Sequence, residues 1–199
     1  MNWLAHTLLS TPSVEFQLGN LLADLVRGDD RLLVSEEFLR GAACHKAIDA
    51  FTDSHDIVRR SRARVSDDYR RFSGVLMDVF YDYLLAKNWS RFCDRTLTEF
   101  TAQFYEAVRT TNATFPEPAQ LTLDRIVTHD SLGSYRDIKG VERALHRIST
   151  YLTSRWRKPF ALERSIPHLL EQEAAFSADF LEFFPQLRTH VRDWIREHP

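Results

Sequence analysis

The helical periodicity of the apolar residues is the feature of this sequence that most limits its possible folds. Nearly every long segment repeats its apolar side chains at intervals of three or four residues, whereas strand-like alternation is scarce. The chain contains only 6 glycines, and proline interrupts the periodic stretches at residues 115–118, at 158–159 and at Pro185. The sequence therefore predicts an all-α protein with a helix break at Pro185.

The predicted helices begin at capping residues or resume after the proline breaks. They run from about Pro12 to Val26, Ser35 to Thr52, Ser54 through Val58, Ser66 to Leu85, Leu97 to Thr110, Ala119 to His129, Ile138 to Trp156, Ile166 to Phe183 and Gln186 to Glu197. No internal repeat or long flexible linker marks a second domain. Residues 1–199 are therefore predicted to form a single compact helical domain.

Composition narrows the possible partners. The formal net charge of -2 gives no general reason to expect binding to nucleic acid or to an anionic membrane. The first ten residues lack a basic leader, and no apolar stretch approaches the roughly 20 residues of a membrane span. The two cysteines, Cys44 and Cys93, have no zinc-site or disulfide spacing. We expect a cytoplasmic protein whose binding sites are local.

Polar residues recur at four-residue intervals on otherwise apolar helix faces in the first 89 residues. Residues four apart lie on one side of a helix. The pairs are Asn20 with Asp24, His45 with Asp49 and then Asp53, and Asp78 with Asp82. Any one pair is more often a surface pair or a structural hydrogen bond, and Asn20 with Asp24 has that reading as an alternative. The concurrence of three such faces indicates a shared site.

A divalent cation would explain why several carboxylates gather on apolar faces. An isolated buried carboxylate is costly, and a cation compensates several at once. Imidazole and carboxylate ligands without thiolates favour manganese, magnesium or iron over structural zinc. The sequence thus predicts a metal site built from facing helices.

A run of arginines supplies local positive charge in this nearly neutral chain. It comprises Arg59, Arg60, Arg62 and Arg64, followed by Arg70 and Arg71. Such a run can attract an acidic partner or bind phosphate. The alternative is a solvated helix face with local pairs to Asp67 and Asp68.

Several ordered motifs resemble those of the acyl carrier protein phosphodiesterase family. They are MNWLAH at residues 1–6, GNLLAD at 19–24, HKAIDAFTD at 45–53, DVFYD at 78–82 and SYR at 134–136. The resemblance covers most of the chain. It implies a divergent HD-phosphohydrolase-like helical fold and manganese-dependent hydrolysis of holo acyl carrier protein, which yields the apo carrier and 4'-phosphopantetheine.

The resemblance also assigns roles to individual residues. The metal ligands it implies are Asp24, His45, Asp49 and Asp78, with Mn²⁺ as the cation and Mg²⁺ or Fe²⁺ as alternatives. The catalytic groups it implies, as further ligands or neighbours of the ligands, are His6, Asp53 and Asp82. A water activated by the cation would attack phosphorus, and one of these groups would act as general acid or base. The partner-binding residues Arg59, Arg60, Arg62 and Arg64 would meet the acidic carrier.

The chain departs from the family pattern at three positions. Tyr83 stands where a histidine commonly follows the aspartate, Lys46 where arginine is frequent, and Leu8 where some relatives have a polar residue. Tyrosine cannot replace imidazole as a metal ligand or as a proton shuttle near neutral pH. Two alternatives therefore stay open. One is a phosphohydrolase of nucleotides or other small phosphodiesters, and the other is a catalytically silent helical protein that binds an acidic partner.

Overall fold

The computed structural model describes residues 1–199 as α-helices joined by turns, with no strand. The helices are α1 (Trp3–Leu8), α2 (Val14–Leu22), α3 (Glu36–Ser54), α4 (Asp56–Arg64), α5 (Ser73–Lys87), α6 (Leu97–Thr110), α7 (Glu117–Thr128), α8 (Ile138–Trp156), α9 (Ile166–Glu171) and α10 (Glu173–Glu197). All ten contribute to one hydrophobic core of 43 buried residues. The all-α prediction is confirmed. No helix combines the length and the apolar character that a membrane crossing needs.

Several helix boundaries differ from those predicted, because other residues act as caps. The Ser13 hydroxyl accepts a hydrogen bond from the Phe16 amide, so α2 begins after Ser13 and not at Pro12. His55, not Ser54, caps α4. The helix predicted from Ser66 to Leu85 divides into a 3-10 turn, Asp67–Phe72, and α5. Helices α6 and α8 span the predicted residues.

The predicted helix break at Pro185 is wrong. Helix α10 continues through Pro185, and the chain breaks instead at Gln172, between α9 and α10. Pro185 is exposed, while the flanking Phe184 and Leu187 are fully buried. Burial of these side chains on both sides offsets the backbone hydrogen bond that proline cannot donate.

Helices α2 and α3 approach each other unusually closely, and two glycines make this possible. A Cβ atom on Gly19 would lie 1.9 Å from the Phe38 carbonyl oxygen, and one on Gly41 would lie 2.1 Å from the Phe16 carbonyl oxygen. Any side chain at either position would push the helices apart. This contact places the end of α2 against the middle of α3, where His45 lies.

Two arginines of the run on α4 form ion pairs with carboxylates of α10. Asp179 of α10 is 2% exposed, and its carboxylate accepts hydrogen bonds from the Arg60 side chain, the Ser61 hydroxyl and the Arg64 side chain, each at 2.8 Å. Arg60 also pairs with Glu182 at 2.6 Å. A buried carboxylate needs such partners, because desolvation alone would make it strongly unfavourable.

The other two arginines of the run are also paired within the chain. Arg59 pairs with Asp56, and Arg62 donates to Asp53 at 2.6 Å. The partner-binding role predicted for Arg59, Arg60, Arg62 and Arg64 therefore meets a structural objection: their charges are already matched by carboxylates.

We predict that Asp179→Ala lowers the free energy of unfolding by about 2 kcal/mol or more, because it leaves the buried Ser61 hydroxyl and two guanidinium groups without their acceptor. Glu182→Ala removes an exposed partner of the same arginine and should cost far less. Urea denaturation of both variants provides the comparison. Equal losses would show that the Asp179 cluster does not stabilise the contact between α4 and α10.

Candidate metal centre

Three potential metal ligands converge at the base of a pocket of about 410 Å³. They are His6 on α1 and His45 and Asp49 on α3, and their ligand atoms all lie within 4.8 Å of one another. The Nε2 atom of His6 lies 3.3 Å from Oδ1 of Asp49, and Nε2 of His45 lies 3.1 Å from Oδ2 of the same carboxylate. The two imidazole rings stack with their centroids 4.3 Å apart.

Asn20 fixes the direction of both rings. Nδ1 of His6 lies 2.7 Å from the Asn20 side-chain oxygen, and Nδ1 of His45 lies 2.7 Å from the Asn20 backbone oxygen. Both oxygens can only accept hydrogen bonds, so each Nδ1 must carry the proton. In a neutral ring Nε2 then presents a lone pair, which is the usual arrangement of histidines that bind metals.

Asn20 is itself held rigidly. It is fully buried, and its side-chain amide donates to the His6 carbonyl oxygen at 3.1 Å and to the Ser10 hydroxyl at 2.9 Å. These two bonds identify the amide nitrogen and so leave the side-chain oxygen facing the His6 ring. The same residue therefore joins α1, α2 and α3.

The electrostatics of the cluster fit a cation. Nε2 of His6 is buried without a hydrogen bond, and it faces the Asp49 carboxylate, which is also an acceptor. Burial lowers the pKa of His6, so this imidazole is neutral near pH 7. A lone pair directed at a carboxylate is unfavourable unless a positive charge lies between them. A bound divalent cation would satisfy both groups.

The pKa values of His45 and Asp49 are shifted because charged groups lie close together in the cluster. Burial tends to lower the pKa of His45, but the adjacent Asp49 carboxylate raises it above its usual value. Burial tends to raise the pKa of Asp49, but the adjacent His45 and His6 rings and the Met1 amino group hold it well below its usual range. Asp49 is therefore ionised and available as a ligand.

Asp24 and Asp78, which were predicted as ligands with His45 and Asp49, line the same pocket at its edge. Oδ2 of Asp24 lies 3.8 Å from Nε2 of His45, and its side chain is 79% exposed. Oδ1 of Asp78 accepts a hydrogen bond from the Met1 amino group at 3.1 Å. The sequence predicted His6 as a catalytic group that could also be a further ligand, and the structure places it with the potential ligands His45 and Asp49.

The catalytic role predicted for Asp82 does not fit its position. Its carboxylate is fully buried and accepts hydrogen bonds from the backbone amides of Leu4 at 2.7 Å and Ala5 at 3.2 Å. It thus satisfies free amides in the first turn of α1, the turn that also contains His6. Burial raises the pKa of Asp82 to about 7, against the lowering effect of these hydrogen bonds. Asp82 positions α1 and does not line the pocket.

Two further residues singled out in the sequence lie away from the cluster. Asp53 is exposed and pairs with Arg62, and it lies outside the pocket, so a catalytic role does not fit. Tyr83 is buried beside Phe80, with ring centroids 5.3 Å apart, and likewise does not line the pocket. The substitution of histidine by tyrosine at this position therefore does not remove a ligand from the cluster.

Other residues that line the pocket come from helices that the sequence did not connect with the site. Arg125 of α7 and Arg147 and Tyr151 of α8 lie there. The guanidinium of Arg147 lies over the Trp3 ring, 4.4 Å from its centroid. These residues lie on α7 and α8, far along the chain from the histidine and aspartate motifs, so no local sequence pattern could have indicated them.

A family model and the similar curated proteins all point to the same family. A family model described as acyl carrier protein phosphodiesterase matches residues 1–187. Proteins named acyl carrier protein phosphodiesterase from Pectobacterium atrosepticum and Escherichia coli O157:H7 are 30% and 31% identical to this chain, and each match covers 94% of this chain and 95% of the relative. One from Yersinia enterocolitica is 40% identical over 50% of this chain and 52% of its own. No solved structure matches the chain.

We predict that Asn20→Leu weakens Mn²⁺ binding by about 10- to 100-fold, because the His6 ring loses the acceptor that fixes its orientation. The control is Ser10→Ala, which removes a hydrogen bond to the same amide without touching either ring. Calorimetric titration of metal-stripped protein measures both affinities. A folded Asn20→Leu variant with unchanged affinity would contradict the role given to Asn20.

Proposed function

This chain belongs to the acyl carrier protein phosphodiesterase family, and from that premise we propose that it hydrolyses the phosphodiester joining 4'-phosphopantetheine to a serine of holo acyl carrier protein. The products are the apo carrier and 4'-phosphopantetheine. The observation that supports this chemistry best is the pair of imidazoles whose Nε2 atoms meet at Asp49 inside a pocket.

We further propose that the cation is Mn²⁺, with Fe²⁺ or Mg²⁺ as alternatives. His6, His45 and Asp49 would hold it, and Asp24 and Asp78 line the same pocket without belonging to the group of three. Two imidazole donors favour a transition metal over Mg²⁺, which prefers oxygen ligands. When bound, such a cation stabilises negative charge on a phosphoryl oxygen and lowers the pKa of a coordinated water.

The chain's own residues supply orientation and proton transfer. Asn20 accepts from Nδ1 of both rings and so directs both Nε2 atoms at Asp49. Asp24 and Asp78 are the pocket carboxylates that are not enclosed by the two rings, so we assign them the proton of the attacking water. The proton taken from the water then passes to the departing serine oxygen of the carrier, which leaves as the free hydroxyl.

Neither alternative function is supported by the structure of the pocket. The silent binding protein was favoured by Tyr83, and that side chain lies in the core away from the cluster. No feature of the pocket identifies a nucleotide. We propose a cytoplasmic location on the grounds of the sequence alone.

The test is mass spectrometry of holo acyl carrier protein incubated with metal-stripped protein, with and without added Mn²⁺. We expect a manganese-dependent loss of the phosphopantetheine mass. Asp49→Ala should lower the rate by about 100-fold or more, because it removes a ligand between the two imidazoles. Asp53→Ala, one helical turn further along α3 but outside the pocket, should retain activity.

A protein that binds Mn²⁺ and leaves every carrier intact would contradict the proposed substrate. Equal losses in the Asp49 and Asp53 variants would contradict the proposed site. Activity that survives thorough removal of metal and does not respond to Mn²⁺ would contradict the proposed cofactor.

A further inference from the structure

The unexplained feature of the molecule is a group of unpaired arginines beside the metal cluster. Arg125, Arg143 and Arg147 form no ion pair with any carboxylate, whereas all four arginines between residues 59 and 64 do. Arg143 and Arg125 are exposed, and Arg147 is partly buried. Unpaired charges held close together are unfavourable, so their retention at one place suggests a ligand of opposite charge.

These arginines connect two adjacent pockets. Arg125 and Arg147 line the pocket of the metal cluster and also a second cavity of about 260 Å³, to which Arg143 and His129 contribute. Burial and the neighbouring charge of Arg125 both lower the pKa of Arg147, which reflects two cations close together without an intervening carboxylate. The positive surface is thus continuous with the mouth of the candidate active site.

Exposed apolar side chains border the same surface. Tyr151, 62% exposed, follows Arg143 and Arg147 at four-residue intervals and lies on their side of α8. Leu121, 55% exposed, precedes Arg125 by the same interval on α7. Large exposed apolar residues beside unpaired arginines are typical of protein contact surfaces.

The proposed substrate requires a protein contact at this position. The scissile phosphodiester is attached to a serine side chain, which extends only two bonds from the backbone. The surface of the carrier around that serine must therefore touch the rim of the pocket when phosphate reaches the ligands. Of the residues on this rim, those of α7 and α8 carry the unpaired positive charge.

We propose that the surface formed by Leu121, Arg125, Arg143, Arg147 and Tyr151 is the docking site for a carboxylate-rich face of the carrier protein. This inference rests on the proposed function for the identity of the partner. It replaces the arginine run on α4, whose charges are already matched by Asp53, Asp56, Asp179 and Glu182. Guanidinium groups bind the carboxylates, and Tyr151 and Leu121 cover apolar side chains between them.

The experiment measures binding of the apo carrier to metal-stripped protein by calorimetry at low and at high salt. The apo carrier has no phosphodiester, so its binding reports docking and not chemistry. We expect Arg125→Ser/Arg143→Ser to weaken binding by roughly tenfold at low salt and to reduce the salt dependence. Both side chains are exposed and unpaired, so thermal melting should stay close to that of the wild type.

Two control variants each remove one exposed arginine elsewhere. Arg188→Ser changes α10 beside a separate pocket, and Arg59→Ser changes the run that the sequence favoured. Each should bind the carrier with nearly wild-type affinity. An unchanged affinity in the double variant, a larger loss in Arg59→Ser, or no binding by the wild type would overturn the proposal. Tighter binding of a short RNA, lost in the same double variant, would also overturn it.

The proposed docking surface and the proposed hydrolysis can be contradicted independently of each other. Arginine-dependent binding of the apo carrier without release of phosphopantetheine would support the docking surface and contradict the proposed hydrolysis. Manganese-dependent hydrolysis with an unchanged KM in Arg125→Ser/Arg143→Ser would support the hydrolysis and contradict the docking surface.

Discussion

Two hydrogen bonds from imidazole rings to Asn20 control the chemistry of this molecule. One goes to its side-chain oxygen and the other to its backbone oxygen, so a single residue directs the rings of His6 and His45. Without them either ring could turn its protonated nitrogen towards Asp49. With them, both Nε2 atoms face Asp49, and the two stacked rings and this carboxylate form one group that could hold a cation.

The rest of the fold brings these groups within reach of Asn20. Gly19 and Gly41 allow α2 to lie against α3 so that the His45 ring meets the Asn20 backbone. Asp82 of α5 accepts hydrogen bonds from the first turn of α1, and His6 lies in that same turn. Each contact joins segments distant in sequence. The positions of the two histidines are therefore set by tertiary packing and not by either helix alone.

This explains which parts of the structure the sequence could predict. His45 and Asp49 were identified because a four-residue interval on one helix is a local pattern. The roles of Asn20 and Asp82 depend on hydrogen bonds across the fold, and the Asp179 partner of the α4 arginines lies 115 residues or more beyond them. Helix α1 was missed because it is short and depends on Asp82, and Pro185 because burial of its neighbours outweighs one lost hydrogen bond.

The central claim is that His6 and His45 bind one cation through their Nε2 atoms. Pulsed electron paramagnetic resonance of the Mn²⁺-loaded protein, with histidine labelled with ¹⁵N, detects coordinated imidazole directly. We predict coupling to two imidazole nitrogens, one of which disappears in His6→Gln and the other in His45→Gln. A manganese signal without histidine coupling, or one unchanged in both variants, would contradict the account.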